Sequence, residues 1–264
     1  YKDLPIPLTF SYFKKESIFL DAYNEIIKCG LKSDLVLKPC DGKGGVGILF
    51  FEQQQSTGKF VNSDGVNISM SEALPCDMIL QERIVQHRDL ERFSCSVNTI
   101  RIVTLKASND EVLILGAYLR LGVGLSRIDN ISQGGLGVAI DLDTGHLVSE
   151  GYNKQGEPYT SHPISKIVFE QFKVPYWQEI KSLAILTQFK LDYQRLLGLD
   201  IAVSQEGPMI IELNSIFDNV GLEQKCGPIL KNPTILKSFG DLGLLVNKKQ
   251  KMHYRALEND LKPA

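Results

Sequence analysis

Residues 198–215, GLDIAVSQEGPMIIELNS, constrain the fold more than any other stretch of the chain. Two apolar runs, LDIAV and PMIIELN, flank the polar loop QEG, and this pattern predicts an antiparallel hairpin with a glycine where the loop needs a left-handed backbone. Counting back from a three-residue loop places Ser204 opposite Pro208 and Asp200 opposite Glu212. Because side chains alternate along a strand, the two acids are predicted to share one face and the aliphatic side chains the other.

Two facing carboxylates need a neutralising partner. At a separation of about 4 Å they repel by about 4 kcal/mol at an effective dielectric constant near 20. Asn214 falls on the same face as Asp200 and Glu212, so this face offers oxygen ligands, which suit Mg²⁺ held between a protein and ATP phosphates. We therefore predict a metal site at these three residues. The alternative is a surface hairpin that carries acidic residues without a ligand.

A second stretch, LVLKPCDGKGGVGILFF at 35–51, is compatible with more than one kind of nucleotide site. From Gly42 to Gly47 it spells the dinucleotide fingerprint GxGxxG, which requires a helix to open at the third glycine. The chain continues with the strand-like run ILFF, so that interpretation is rejected. A protein kinase is suggested by HRDL at 87–90, but Ser94 stands where a kinase has its magnesium-binding asparagine, and no DFG follows.

What remains is a strand that carries Lys38, a glycine-rich loop and a return strand. Such a hairpin can fold its backbone N–H groups over nucleotide phosphates because no Cβ blocks the approach. We predict that Lys38, Lys43, Gly44 and Gly45 bind phosphate. A flexible surface hairpin is the alternative on this stretch alone.

Composition limits the classes of partner. The 264 residues include 29 basic and 31 acidic side chains, so no broad positive surface for nucleic acid is expected. The five cysteines are odd in number and lack CxxC spacing, which argues against a disulfide framework and a zinc site. The sequence shows no membrane-length apolar run and no leader peptide, so a cytoplasmic protein is expected. The chain opens within what reads as structure, which predicts that an N-terminal segment is missing.

Alternating helix and strand patterns predict an α+β protein. The longest helix candidate is 176–198, whose apolar residues recur every three to four positions before a glycine. We place the boundary between two lobes after Gln86, giving a first lobe at 1–86 and a second at 87–264.

The ordered set of motifs resembles the sugar-transfer-associated branch of the ATP-grasp superfamily. After the KP-glycine loop and ILQERI come SVNTIRIVTL, AYLRLG, IDNISQGGLGVAIDLDTG, SHP and DIAVSQEGPMIIELN, in the order seen in that branch. The resemblance implies an ATP-grasp fold, in which two α+β lobes grip ATP between them and an N-terminal pre-grasp segment is missing here. The lobe at 1–86 would carry the phosphate loop and hinge strand, and the lobe at 87–264 the magnesium and substrate site.

The resemblance also implies roles for individual residues. It maps the metal ligands of the family onto Asp200, Glu212 and Asn214. The remaining roles fall into three groups: adenine and ribose at Gln81, Glu82, Arg83, Ile84, His87 and Asp89; the γ-phosphate and acyl phosphate at Arg101 and Arg120 with Lys38; and the substrate at Asn130 and His162. The composition of the loop SQGG predicts, in addition, that backbone N–H groups near Gly134 and Gly135 hold the acyl oxygen of the substrate. His162 has a purely structural role as its alternative.

The implied reaction uses ATP and Mg²⁺ to join a carboxylate to an amine through an acyl phosphate, with ADP and phosphate released. The small-molecule substrates implied are an amino acid or a sugar or glycan carboxylate, which would fit polysaccharide biosynthesis, and self-association stays open. Two other functions also stay open at this point. One is an ATP-dependent kinase on the same fold, and the other is a non-catalytic ATP-binding module.

Overall fold

The computed structural model describes residues 3–28, 34–41, 45–53, 60–62, 73–124, 129, 131 and 134–260. The chain divides into two compact units, one formed by 6–85 and the other by 1–5 together with 86–264. Both units combine helices with an antiparallel sheet, so the predicted α+β class is confirmed. The assignment of phosphate, metal and substrate roles to the two units stays a prediction.

The described residues of the smaller unit contain a five-stranded antiparallel sheet with the strand order β1-β5-β2-β3-β4. Its elements are β1 (Thr9–Phe13), α1 (Phe19–Lys28), β2 (Leu35–Pro39), β3 (Leu49–Gln53), β4 (Phe60–Asn62) and β5 (Met78–Glu82). One face of the sheet buries a hydrophobic cluster that includes Leu35, Leu37 and Leu80. Since side chains alternate, Val36 and Lys38 lie on the opposite face.

The larger unit is a seven-stranded antiparallel sheet with the strand order β10-β9-β8-β7-β6-β11-β12. Its strands are β6 (Ile100–Lys106), β7 (Val112–Leu121), β8 (Leu136–Ile140), β9 (Leu147–Tyr152), β10 (Pro158–Tyr159), β11 (Leu196–Ser204) and β12 (Gly207–Asn214). Its helices are α2 (Arg88–Glu91), α3 (Trp177–Lys190), α4 (Asn219–Cys226), α5 (Pro233–Asp241) and α6 (Lys248–Asp260).

The two faces of the larger sheet are covered by different helices. On the first face, Ile102 and Leu119 belong to a cluster that includes Ile180 of α3. On the second face, Tyr118 packs in a cluster with Leu222 of α4. Helices α4 and α5 therefore cover part of the second face, on which every other residue of β6, β7 and β11 lies.

The predicted hairpin at 198–215 is present as β11 and β12, but its turn differs from the prediction. Ser204 pairs with Gly207, so the turn has two residues and not three. The register then shifts by one residue between Asp200 and Ile201, and Asp200 still pairs with Glu212. The prediction placed the two acids correctly because a one-residue bulge offsets the one-residue error in the turn.

The predicted long helix is shorter than its apolar stripe. Helix α3 ends at Lys190, and Tyr193 beyond it is 75% exposed. Leu196, which the stripe included, is already the first residue of β11 and pairs with Leu105 of β6. The C-terminal residues of the apolar stripe thus belong to a β-strand and not to the helix, because they pair within the sheet.

Candidate functional site

A row of polar side chains crosses the second face of the larger sheet. Arg101 on β6 is paired with Tyr118 on one side and with Asp200 of β11 on the other. Asp200 is in turn paired with Glu212 of β12. Directly paired residues of antiparallel strands project from the same face, so these four side chains form one continuous row.

Two arginines bind the carboxylate at the centre of this row. Arg101 donates from Nε to Asp200 Oδ1 at 2.5 Å and from Nη2 to Oδ2 at 2.8 Å. Arg120, on β7, donates from Nη1 to Asp200 Oδ2 at 2.9 Å. Its Nη2 lies 3.2 Å from Oδ1 of Asp129. The two buried aspartates and the two partly buried arginines form one network of charge-assisted hydrogen bonds.

Burial acts to raise the pKa of both acids in this network, but the net pKa shifts are opposite. Burial acts to raise the pKa of Asp200, but the adjacent Arg120 and Arg101 outweigh it and hold that pKa below its ordinary value. Burial dominates at Asp129 and raises its pKa, although Arg120 and Thr99 oppose the shift. Asp200 is therefore a carboxylate held in its charged form by two guanidinium groups.

This network already supplies part of the positive charge for which the sequence predicted a metal. The facing of Asp200 and Glu212 predicted that a cation neutralises both acids, whereas Arg101 and Arg120 already neutralise Asp200. Both oxygens of Asp200 accept guanidinium hydrogens, and the residue is only 2% exposed. The sequence did assign both arginines to the site, but it missed their contact with this acid.

Glu212 and Asn214 present a different environment at the end of β12. Glu212 is exposed, whereas Nδ2 of Asn214 is buried and has no hydrogen-bond partner among the described residues. Rotating the amide by about 180° places Oδ1 at this position, so the residue can offer either atom. A carboxylate and an amide oxygen suit Mg²⁺ that also binds nucleotide phosphates. The described residues contain no group of three or more acidic, histidine or cysteine side chains that could hold a metal by themselves.

The predicted phosphate loop belongs to the smaller unit and is described in part. Lys38 lies near the end of β2, on the face opposite the hydrophobic cluster, and its strand partner is Ile79. Gly45 and Gly47 adopt positive φ angles of 76° and 79°, which glycine tolerates best. Lys43 and Gly44 lie outside the described residues.

The predicted adenine-binding segment begins within β5 of the same unit. The backbone N–H groups of Glu82 and Arg83 donate to the carbonyl oxygens of Leu8 and Asp34. The N–H of Ile84 has no backbone partner among the described residues. Among the backbone N–H groups of Glu82, Arg83 and Ile84, that of Ile84 is therefore available to bind a ligand.

Two side chains of this segment are engaged in the structure of the smaller unit. Gln81 donates from Nε2 to Thr9 Oγ1 at 2.8 Å. The guanidinium of Arg83 lies 3.3 Å from Asp34 and 3.4 Å from Glu52. These contacts hold β5 against its neighbours.

The two ribose candidates lie at the beginning of α2 in the larger unit. His87 caps the helix, with Nδ1 accepting from the N–H of Asp89 at 3.2 Å, and its ring meets Tyr176 edge-on. The side chain of Asp89 is 46% exposed and that of His87 12%. Asp89 is therefore the more accessible of the two.

The predicted substrate residues do not share one environment. Gly134 is exposed with a φ angle of 96°, and Gly135, at the entrance to β8, is buried. Asn130 lies outside the described residues. The assignment of His162 to the substrate site is not retained, because this side chain is fully buried and both ring nitrogens have partners.

The contacts of His162 also fix its tautomer. The backbone N–H of Ser165 donates to Nδ1 at 3.2 Å, so Nε2 carries the hydrogen and donates to the carbonyl oxygen of Gly122 at 2.9 Å. Burial lowers the pKa of His162 below its ordinary value of 6.5, although the bond to Gly122 opposes the shift. The ring is a neutral structural element that joins two loops.

We expect this histidine to make the folded protein sensitive to acid. Its pKa is lower in the folded than in the unfolded chain, so its contribution is complete above pH 6.5 and is lost as the pH falls through the lowered folded value. In urea unfolding, His162→Gln should weaken the loss of stability below pH 6.5. His253→Gln, at an exposed histidine of α6, should leave it unchanged. Identical pH profiles for wild type and His162→Gln would contradict the assignment.

Asp129 is the site residue that the sequence did not reveal. It accepts from the backbone N–H of Thr99 at 2.7 Å and also from the hydroxyl of Thr99, and it binds Arg120. No periodic pattern marks it, because its role depends on the meeting of a loop with the start of β6. The IDN motif that contains it was singled out only as part of the family resemblance.

The model of the family described as sugar-transfer-associated ATP-grasp matches residues 1–226. The chain belongs to this family. It therefore has the ATP-grasp fold, and the predicted recognition is confirmed. No curated protein sequence matches the chain. Among the described residues, no helix combines the length and the apolar character needed to span a membrane.

Several solved structures are similar to this chain at low identity. An N5-carboxyaminoimidazole ribonucleotide synthetase with bound ADP is 13% identical, with a TM-score of 0.46 over 83% of this chain and 42% of that one. An L-amino acid ligase from Bacillus licheniformis is 12% identical, with a TM-score of 0.46 over 87% of this chain and 43% of that one. The D-alanine–D-alanine ligase from Bacillus anthracis is 12% identical, with a TM-score of 0.43 over 98% of this chain and 66% of that one. This chain spans about two fifths of the length of the first two structures.

Proposed function

We propose that this protein is an ATP-dependent ligase that joins a carboxylate to an amine through an acyl phosphate. The observation that carries the proposal is the pair Arg101 and Arg120, fixed side by side by Asp200 in the row that ends at Glu212. Phosphoryl transfer needs prearranged positive charge more than it needs a general base. Membership of an ATP-grasp family supports ATP as the phosphoryl donor.

In this proposal the metal residues have unequal roles. Glu212 and Asn214 would hold Mg²⁺, which when bound neutralises charge on the ATP phosphates. Asp200 has a different role: it is buried, and it fixes the guanidinium groups of Arg101 and Arg120. We thus keep Asp200 in the site as a positioning residue, with Glu212 as the principal metal ligand.

The smaller unit would hold the nucleotide. Lys38 and the loop that includes Gly45 would cover the phosphates, and the N–H of Ile84 would read the adenine edge. Asp89 of the larger unit would bind the ribose. These roles divide the chain into a nucleotide-covering unit and a metal and substrate unit.

The reaction proceeds in two balanced steps. A carboxylate oxygen attacks the γ-phosphorus of ATP, and the bond to the ADP oxygen breaks. Arg101 and Arg120 stabilise the negative charge of the phosphoryl group during this transfer. The amine nitrogen then attacks the acyl carbon and loses a proton, and phosphate leaves with the electrons of the broken C–O bond. The backbone near Gly134 and Gly135 would bind the acyl oxygen in this second step.

The substrates we propose are a uronate, as the sugar carboxylate, and an amino acid, as the amine, with the joining of two amino acids as the near alternative. The family description links the chain to sugar transfer, and a bidentate arginine suits either carboxylate. The test offers ATP and Mg²⁺ with glucuronate, with amino acids, and with both together. A product of uronate plus amino acid minus water supports the proposal. Dipeptides alone would reject the uronate, and a stable phosphorylated product would indicate a kinase.

A further inference from the structure

Lys225 of α4 packs against the second face of the larger sheet, on residues that are strand partners of Arg101 and Arg120. Its Nζ lies 5.7 Å from the centre of the Tyr118 ring. A Cβ placed on Gly137 would lie only 2.6 Å from Cε of this lysine, so its stem crosses the open surface of that glycine. Tyr118 is the strand partner of Arg101, and Gly137 is the strand partner of Arg120. The lysine side chain therefore contacts a strand partner of each arginine, on the face of the sheet that carries both arginines.

The charge of Lys225 is not balanced as those of the arginines are. The residue is 9% exposed, and its Nζ donates to Oε1 of Gln224 at 2.7 Å. Among the described residues, no carboxylate lies within ion-pair distance of it. Burial lowers its pKa, although the charge of Asp218 opposes the shift. An ammonium has three hydrogens to donate, and this contact uses one of them.

We propose that Lys225 binds an anionic oxygen of the substrate, on the carboxylate before phosphoryl transfer and on the phosphoryl group after it. This inference rests on the proposed function and assigns a substrate-binding residue to it. Lys225 adds a positive charge to that of Arg101 and Arg120, whose guanidinium groups are already bound to Asp200 and Asp129. Gly137 contributes by leaving room for the lysine stem, since any larger side chain would displace it.

Three variants separate the charge of Lys225 from its packing. Lys225→Met keeps a flexible apolar side chain over Gly137 and removes the charge. Gly137→Ala keeps the charge and displaces the stem. Lys231→Met removes an exposed lysine between α4 and α5 and is the matched control.

The experiment measures binding of two probes, sodium glucuronate and inorganic phosphate, to the full chain by titration calorimetry. A charged hydrogen bond is worth roughly tenfold or more in affinity, so Lys225→Met and Gly137→Ala should each weaken probe binding by about that factor. Lys231→Met should bind both probes as the wild type does. Weakening of glucuronate alone assigns the lysine to the carboxylate, and weakening of phosphate alone assigns it to the phosphoryl group.

Equal probe binding by wild type and Lys225→Met overturns the inference, and so does a wild type that binds neither probe. ATP consumption, measured separately with a panel of carboxylates and amines, reports on the proposed function. If Lys225→Met loses probe binding but the wild type consumes no ATP with any substrate pair, the lysine assignment is kept and the ligase is rejected. ATP consumption by the wild type, together with unchanged probe binding by Lys225→Met, would support the ligase and reject the lysine assignment.

Discussion

Glu212→Gln is expected to reduce ATP turnover by at least about 100-fold, the order of loss seen when a group that stabilises charge in a transition state is removed. The substitution keeps the size and shape of the side chain and removes the charge that would hold Mg²⁺. Glu212 is exposed on β12, so the free energy of unfolding should change by no more than about 0.5 kcal/mol. Turnover is measured as ADP formed at saturating Mg²⁺, and stability by urea unfolding.

The matched control for this variant is Glu206→Gln in the turn of the same hairpin. Glu206 is exposed and lies at the opposite end of the two strands from Glu212. It should retain wild-type turnover. If Glu212→Gln also turns over ATP at the wild-type rate, the metal assignment at β12 is wrong.

Asp200→Asn should destabilise the protein by about 3 kcal/mol or more, because it leaves two guanidinium groups without the carboxylate that they share. Arg120 keeps Asp129, so Arg101 becomes the uncompensated charge. Turnover should fall as well, because the positions of both arginines depend on this acid. Urea unfolding measures the first effect and ADP formation the second.

A double variant tests whether the lost ion pair is the cause. Asp200→Asn combined with Arg101→Gln should be less destabilised than the sum of the two single variants, because each single change leaves a partner unpaired. Asp192→Asn, at an exposed acid just after α3, should be neutral. Additive effects of Asp200→Asn and Arg101→Gln would contradict the pairing.

The sequence predicted the class of fold and the pairing of Asp200 with Glu212, but not every step that leads there. The hairpin was visible because two apolar runs flank a polar loop, and such local patterns depend on neighbouring residues. The bulge beside Asp200 was not visible, because it depends on how β11 pairs with β6 and β12 at once. The prediction of the end of α3 was wrong for the same reason, because Leu196 pairs with β6, which is distant in the sequence, and is not part of the helix.

The roles of charged residues were harder to predict than their membership of the site. Arg101 and Arg120 were assigned to phosphate from the family resemblance, and nothing in the spacing of residues so far apart in the chain indicates that both bind Asp200. His162 stands in a motif that suggests chemistry, yet burial makes it structural. Partners brought together by sheet pairing are a tertiary property, and a single sequence does not display them.

The transfer of oxygen-18 from a labelled carboxylate to inorganic phosphate tests the acyl-phosphate route most directly. The full chain is incubated with ATP, Mg²⁺, an amine and the labelled carboxylate, and the phosphate is analysed by mass spectrometry. We expect ADP and phosphate as products, with one label in each phosphate formed, because the attacking oxygen leaves with the phosphoryl group. AMP and pyrophosphate, or phosphate free of label, would contradict it.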